Sequence, residues 1–320
     1  MKILVTGGLG HIGSRLIRYI ARSPKVEMII ILDNLSTQRY CSLFNLPTEV
    51  EYKFLEGDIR RKTDLDAALK DVETVFHLAA LTDAPSTLNM PELTKEINFE
   101  GTRNVVEACV RNGVKKIIYP STTSVYGSCQ GTVTEDWSNC NPQSPYAVYK
   151  MLGEQEVLGA TRRGSIEGTV LRLGTIYGAS IGMRFHTAVN KFAFQACMGL
   201  PITVWDKAYD QERPYLDLSD CVRAMEFMMT YEKGNGELYN VLTQNATVRQ
   251  IVTAIKEFVP DLTVVFTNAP ILNQTSYRVD DAKIKRTGFL LQGNLNDSVG
   301  ETVSLLKSFL KADPSKTTTH

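Results

Sequence analysis

Residues 6–13 read Thr-Gly-Gly-Leu-Gly-His-Ile-Gly. They follow an apolar stretch at residues 2–5 and precede a segment, residues 14–21, whose apolar side chains recur at helical spacing. The pattern predicts a strand, a tight turn and a helix. In such a turn the glycines let the main chain approach a pyrophosphate, and the helix offers its free N–H groups to the phosphates. The stretch therefore predicts a dinucleotide site formed by Gly7, Gly10, His11, Ile12 and Gly13.

A second apolar run, residues 26–32, ends at Asp33, twenty residues after Gly13. A carboxylate at this place can accept hydrogen bonds from the adenosine ribose hydroxyls and would repel a 2′-phosphate. We therefore expect NAD rather than NADP, with Asp33 and its neighbour Asn34 among the cofactor-binding residues. The alternative is that Asp33 only opens the turn at residues 33–36.

Strand and helix patterns alternate through the first half of the chain. This alternation predicts an α/β fold, a Rossmann-type doubly wound parallel sheet, with ligands at the carboxyl ends of its strands. Asp58 with Ile59 would contact the adenine there, although a turn or helix-capping role explains Asp58 equally well. The apolar residues that would form a wall under the nicotinamide ribose are Leu78, Ala79 and Ala80.

The alternation weakens after the strand pattern at residues 168–173. We predict an NAD-binding domain at residues 1–171 and 215–243, and a smaller, discontinuous α/β substrate lobe at residues 172–214 and 244–311. Residues 312–320 read as a frayed tail. A cleft between two lobes is the usual place for a substrate.

Composition excludes several classes of protein. The 35 lysines and arginines balance 35 acidic residues, so nothing suggests nucleic-acid or membrane-surface binding. The six cysteines lack CxxC spacing and the four histidines are scattered, so neither a disulfide framework nor a metal site is expected. No apolar stretch has transmembrane length, and the glycine turn begins too near Met1 for a signal peptide. These features predict a cytoplasmic enzyme.

Tyr146 and Lys150 are four residues apart on a predicted helix and therefore share one face. An ammonium beside a phenol favours the phenolate, so we expect a lowered tyrosine pKa. Such a tyrosine can take a proton from an alcohol while hydride leaves the same carbon. Thr122, at the end of the preceding strand, can share a hydrogen bond with the reacting oxygen. The alternative is a solvated helix face, and Tyr126 and Tyr149 are rival acid–base candidates.

Together these motifs resemble the extended short-chain dehydrogenase/reductases, in particular the nucleotide-sugar epimerase/dehydratase family of the UDP-glucose 4-epimerase kind. The resemblance covers nearly the whole chain and is more specific for fold and cofactor than for substrate. It is carried by residues 6–13, 77–80, 121–127, 144–150, 171–173, 213–220 and 280–284.

The resemblance implies a bound NAD that is reduced and reoxidised within one turnover. Thr122, Tyr146 and Lys150 are then the catalytic residues, and Lys150 also contacts the nicotinamide ribose. Asn98 matches the asparagine that supports the geometry of the active-site helix, and we place it in the cofactor-binding set. Arg213 matches an arginine that contacts the sugar nucleotide's diphosphate, unless it forms a surface or interlobe salt bridge. The implied substrate-binding residues are Thr82, Thr122, Tyr146, Thr175, Val204 and Arg213.

The residues after Thr122 depart from the family pattern, and this departure favours one reaction of the family over another. The 4,6-dehydratases carry an acidic pair directly after the catalytic threonine, where this chain has Thr123 and Ser124. Without those carboxyl groups, oxidation and re-reduction at a single carbon is the better reading, which predicts a nucleotide-sugar 4-epimerase.

UDP-glucose, UDP-galactose or a related UDP-sugar is the expected substrate. Thr175 stands where many relatives have an asparagine, and Trp205 lies in an altered turn, so the nucleotide and sugar stay open. A dehydratase or decarboxylase, an NAD-dependent dehydrogenase and a non-catalytic NAD sensor are the alternatives. Helices over residues 91–112 and 147–161 form a dimer-making bundle in relatives, so the resemblance also implies a homodimer.

Overall fold

The computed structural model of the 320-residue chain describes residues 1–129, 131–268 and 276–308. The predicted tail at residues 312–320 lies outside the described residues. The strands are β1 (Lys2–Thr6), β2 (Met28–Asp33), β3 (Glu51–Glu56), β4 (Thr74–His77), β5 (Lys116–Thr122), β6 (Gly131–Val133), β7 (Glu167–Leu173), β8 (Thr175–Tyr177), β9 (Ile202–Trp205), β10 (Glu212–Asp217), β11 (Leu238–Val241), β12 (Gln244–Thr247), β13 (Val264–Thr267) and β14 (Tyr277–Val279).

The helices alternate with these strands through the first half of the chain. A π-helical stretch, Glu96–Glu100, joins α4 to α5, so the predicted helix at residues 91–112 contains an irregular turn. The α-helices are α1 (His11–Ile20), α2 (Lys62–Ala68), α3 (Ala84–Thr87), α4 (Pro91–Lys95), α5 (Gly101–Arg111), α6 (Pro145–Arg162), α7 (Ala188–Cys197), α8 (Leu218–Thr230), α9 (Val248–Phe258), α10 (Ala282–Lys285) and α11 (Leu295–Lys307).

Seven parallel strands form the main sheet in the order β11-β7-β5-β4-β1-β2-β3. The chain moves outward from β1 to β3 and then returns to the other side of β1 with β4. This reversal opens a crevice at the carboxyl ends of β1 and β4, which is where open α/β sheets bind ligands. The predicted doubly wound Rossmann-type fold is confirmed.

The two faces of the sheet bury separate apolar clusters, because successive side chains of a strand point to opposite faces. Ile3 and Val5 of β1 pack on one side with α1 and α8. Leu4, between them, packs on the other side with Val105 of α5 and Val157 of α6. The helices that position the crevice are therefore fixed by burial on both faces.

Among the described residues, three small sheets lie outside the main one: β12-β10-β8, β13-β9 and β14-β6. Val204 of β9, Ile251 of α9 and Val299 of α11 belong to one buried cluster, separate from those of the main sheet. The predicted boundaries at 171/172 and 214/215 fall inside β7 and β10, and β10 pairs with β8 rather than joining the main sheet. The apolar pattern of β10 does not show which strands it pairs with. The sequence therefore could not predict that β10 lies in a small sheet rather than in the main one.

Within the described residues, no helix combines the length and apolar character that a membrane crossing requires. The six cysteines all fall in this part of the chain, and each is a free thiol. No cluster of three or more potential metal-ligating side chains is found among the described residues.

Candidate active site

The glycine turn lies against the chain that leaves β4. Gly7 has a φ of +66°, and a Cβ on it would lie 2.7 Å from the Cα of Ala79. A Cβ on Gly13 would lie 2.6 Å from the carbonyl oxygen of Gly7. Both positions therefore require glycine. The result is an open N-terminus of α1 facing the crevice, which is a natural site for a phosphate.

Asp33 ends β2 beside this turn and is held in place by main-chain donors. Its carboxylate accepts hydrogen bonds from the N–H of Leu9 at 3.1 Å and of Leu35 at 3.0 Å. Burial raises the pKa of Asp33, and the bonds from Leu9 and Leu35 oppose that rise. Asp33 thus does open the turn that follows it, and it also lines the crevice.

Asp58 has partners within its own turn. Arg60 donates to its carboxylate from Nε at 3.0 Å and from Nη2 at 2.8 Å, and Asn34 donates at 3.2 Å. The bond from Arg60 is the largest of the effects that lower the pKa of Asp58 to about 2. Asp58 therefore orders the turn after β3, which is the alternative role that the sequence left open. It also lines the crevice.

A buried chain of hydrogen bonds fixes the end of β4. The Oγ1 of Thr6 lies 2.8 Å from Nδ1 of His77, and the Oγ1 of Thr102 lies 3.0 Å from its Nε2. Thr102 donates to the carbonyl of Asn98 at 2.8 Å. Asn98 in turn pairs twice with the main chain of Leu81, at 2.8 Å each. Asn98 thus positions the segment after β4, a more specific role than general support of a helix.

Most of the residues predicted to bind the cofactor line one cavity at the crevice, whereas Asn98, Tyr146 and Lys150 do not. The fit to a dinucleotide is supported by the turn that a Cβ would block and by two buried polar atoms, His11 Nε2 and Thr82 Oγ1, that have no hydrogen-bond partner among the described residues. The predicted residues that line it are Gly7, Gly10, His11, Ile12, Gly13, Asp33, Asn34, Asp58, Ile59, Leu78, Ala79, Ala80 and Thr82.

Tyr146 is delivered by the first turn of α6, which Ser144 caps by accepting a hydrogen bond from the N–H of Ala147 at 3.2 Å. The Thr122 hydroxyl, at the end of β5, is close enough to the phenol to lower the Tyr146 pKa, although burial outweighs this effect. Neither residue lines the cavity, but the charge of Arg184, which does line it, acts on the pKa of Tyr146. The structure therefore brings Thr122 and Tyr146 together.

The expected lowering of the Tyr146 pKa is wrong. Burial raises this pKa, and the hydrogen bond with Thr122 and the charge of Arg184 only oppose the rise. Lys150 is 5% exposed, and its ammonium lies over the ring of Tyr119, 3.9 Å from the ring centre. Burial lowers the pKa of Lys150 to about 7, against the charge of Glu154. Desolvation is therefore the largest effect on the pKa of both Tyr146 and Lys150. The spacing of the two residues on the helix does not reveal it.

Tyr126, one rival candidate, is engaged elsewhere. Its hydroxyl donates to Oδ1 of Asn240 at 2.7 Å, and the guanidinium of Arg172 lies over its ring. Tyr149 lies on the same helix, three residues after Tyr146. The position of Thr122 beside Tyr146 supports Tyr146 as the acid–base candidate.

The remaining predicted substrate residues are spread over the small sheets. Thr175 begins β8, beside the crevice residue Ile176. Val204 is buried in the apolar cluster of β9, so any substrate contact falls to its main chain. Arg213, on β10, donates to the carbonyl of Glu212 at 2.8 Å, and its guanidinium lies over the ring of Tyr277.

Several polar residues at the site carry no sequence motif. Arg39, Arg184 and His186 line the cavity together with the glycine turn. Glu154 of α6 forms a buried pair with Arg172 of β7 at 2.7 and 2.9 Å. Arg184 and His186 are two residues apart in a loop. This close spacing of basic side chains is the sequence signal that could have identified them.

Comparison with known proteins identifies a matching protein family, similar relatives and a similar solved structure. The model of the NAD dependent epimerase/dehydratase family matches residues 3–241. An uncharacterized UDP-glucose epimerase of Bacillus subtilis, YtcB, is 30% identical over 265 residues, 80% of this chain and 82% of that protein. A dTDP-D-glucose 4,6-dehydratase of Dictyostelium discoideum is 30% identical over 260 residues, 76% of this chain and 58% of that protein. The structure of UDP-glucuronic acid 4-epimerase from Bacillus cereus, in complex with UDP-glucuronic acid and NAD, matches with a TM-score of 0.87 at 26% identity, covering 97% of this chain and 100% of that one.

Proposed function

The chain belongs to the NAD dependent epimerase/dehydratase family and uses NAD, and we propose that it is a 4-epimerase of a UDP-linked hexose. The observation that carries this proposal is the set of Thr122, Tyr146 and Lys150 without a carboxyl group at the two positions after Thr122. The sugar would be oxidised at C4 and re-reduced on its opposite face.

In this proposal Tyr146 moves the proton of the C4 hydroxyl, and Thr122 holds the same oxygen by a hydrogen bond. Burial keeps the phenol protonated at neutral pH, while the charge of Arg184 and the bond with Thr122 ease its ionisation. Bound NAD supplies reversible hydride acceptance. Lys150 would hold the nicotinamide ribose from the same helix. The chain thus supplies the proton carrier and the orientation of the reacting carbon.

Loss of water from the sugar would need a second acid near C6. Thr123 and Ser124 cannot serve, because hydroxyl side chains are poor proton donors at neutral pH. Glu154 is also engaged, since it accepts two bonds from Arg172 and one from Ser121 at 2.5 Å. These contacts support epimerisation over dehydration.

For the substrate we favour UDP-glucose or UDP-galactose, with the N-acetyl and uronic-acid forms next. The support comes from relatives named for UDP-glucose and UDP-glucuronic acid. Arg213 would bind the diphosphate. Its guanidinium already has main-chain and aromatic neighbours that hold it on β10.

The test is incubation of the purified protein with a panel of UDP-, GDP- and CDP-sugars, followed by mass spectrometry and NMR. The proposal predicts an isomer of unchanged mass from a UDP-hexose, formed without added NADH. Loss of water or carbon dioxide would assign a dehydratase or decarboxylase, and stoichiometric NADH would assign a dehydrogenase. Absence of any reaction across the panel would favour a sensor.

We also propose a homodimer built from the helices at residues 91–112 and 147–161. Its support is the exposure of Met90, Leu93 and Val110 on or next to α4 and α5. Light scattering should give twice the 35.7 kDa chain mass. Leu93→Glu should reduce it to the monomer value, and a monomer in the parent protein would refute the proposal.

A further inference from the structure

A segment of the chain after β8 lies directly on the glycine turn. We call residues 178–187 the clamp segment. The N–H of Gly182 donates to Oγ of Ser14 in α1 at 3.0 Å. A Cβ on Gly182 would lie 2.5 Å from the carbonyl oxygen of Gly10, so the approach requires glycine. The clamp segment is thus packed against the same turn that the dinucleotide must use.

His11 joins the clamp segment to the turn. Ser180 donates to the carbonyl of His11 at 2.9 Å, so its oxygen accepts from Nδ1 of the imidazole, also at 2.9 Å. The other nitrogen, Nε2, is buried and has no hydrogen-bond partner among the described residues. The His11 side chain is 7% exposed and lines the cavity. A buried polar atom without a partner indicates a ligand at this point.

Basic side chains share this cavity with His11. Arg184 and His186 of the clamp segment and Arg39 line the same cavity. After burial, which is the largest cause, their charges lower the pKa of His11 to about 3. Nε of Arg184 and Nε2 of His186 are also buried without a hydrogen-bond partner in the described chain. Asp83 provides the opposing negative charge near Arg184.

A helix N-terminus ringed by these groups is complementary to a dianion. We propose that Arg184 and His186 form the second half of the cofactor's diphosphate site, opposite the N-terminus of α1. His11 lines the same cavity and would lie beside the diphosphate. Because the same segment covers the turn, it must move away before NAD can dissociate. The clamp segment therefore retains the cofactor from one turnover to the next.

The test is the rate at which the holoenzyme, loaded with labelled NAD, exchanges it for unlabelled NAD. Arg184→Gln removes the charge and should speed the exchange by about 10–100-fold, the value of a hydrogen bond to a charged group. Arg184→Lys keeps the charge and should exchange more slowly than Arg184→Gln. Arg22→Gln is the matched control, because Arg22 is exposed beyond the opposite end of α1. It should exchange like the parent.

A second variant moves the segment without changing charge. Gly182→Ala places a methyl group against the turn and should also speed NAD exchange. The affinity of the holoenzyme for UDP should stay unchanged in Arg184→Gln. Parent-like exchange in both Arg184→Gln and Gly182→Ala would overturn the proposal. Weakened UDP binding with unchanged NAD exchange would also overturn it, by assigning Arg184 to the sugar nucleotide.

Discussion

The ammonium of Lys150 lies 3.9 Å from the centre of the Tyr119 ring. The same ring stacks with the imidazole of His77. The aromatic face gives the buried charge a partner in place of water. Burial nevertheless lowers the pKa of Lys150 to about 7, so the charge costs the folded chain free energy. The free-energy cost of burying this charge can be measured.

Lys150→Met should stabilise the fold at low pH. The folded pKa lies below the usual 10.5, so the unfolded chain binds more protons between about pH 7 and pH 10.5. The cost of the buried charge is therefore full below pH 7 and disappears as pH rises to 10.5. After the lost contact with Tyr119 is subtracted, the gain at pH 6 should be roughly 1–3 kcal/mol. Urea unfolding at pH 6 and pH 10 measures it, and an equal effect at both pH values would refute this account.

Tyr146→Phe should remove the proton carrier and keep the ring. Turnover should fall by about 10²–10⁴-fold with NAD content unchanged. Tyr149→Phe, on the same helix, is the control and should keep most of the activity. Steady-state assays of both variants decide the matter, because the reverse pattern would make Tyr149 the acid–base residue.

Asp33→Ala should weaken NAD binding by about 1–3 kcal/mol, the range for losing a charged hydrogen-bond partner. The preference for NAD over NADP should shrink as well, because the carboxylate no longer repels the 2′-phosphate. Titration calorimetry with both dinucleotides measures the two effects. Asp261→Ala, at an exposed position, should bind both like the parent. Unchanged selectivity in Asp33→Ala would show that this carboxylate serves only the turn.

Glu154→Gln should destabilise the fold by about 3–5 kcal/mol, because it leaves the buried guanidinium of Arg172 without its counter-charge. The exposed pair of Glu73 and Lys115 provides the comparison, since Glu73→Gln should cost less than about 1 kcal/mol. Denaturant unfolding of both variants would show the contrast. Similar losses in the two would mean that burial does not set the strength of the Glu154 pair.

What the sequence predicted well is local. The glycine turn at residues 6–13 and the Tyr146–Lys150 spacing are each encoded within a few neighbouring residues, so the dinucleotide crevice and the NAD-dependent family could be inferred before the structure. The roles of the individual site residues stay predictions. Most of the predicted cofactor-binding residues line one cavity, which supports their roles without testing them.

What the sequence missed depends on tertiary contact. Arg184 lines the same cavity as the glycine turn because the clamp segment packs on α1, as the bond from Gly182 to Ser14, 168 residues apart in the chain, shows. Glu154 and Arg172 meet across α6 and β7. The direction of the Tyr146 pKa was wrong because the charge of a neighbour four residues away is encoded locally, whereas burial is not.

The most direct test of the central claim is the fate of deuterium placed at C4 of UDP-glucose. If the sugar is oxidised and re-reduced at this carbon by the same bound NAD, NMR should find the label at C4 of UDP-galactose, with no loss to solvent and no added NADH. Label found at C6 together with loss of water, or released in free NADH, would contradict a 4-epimerase.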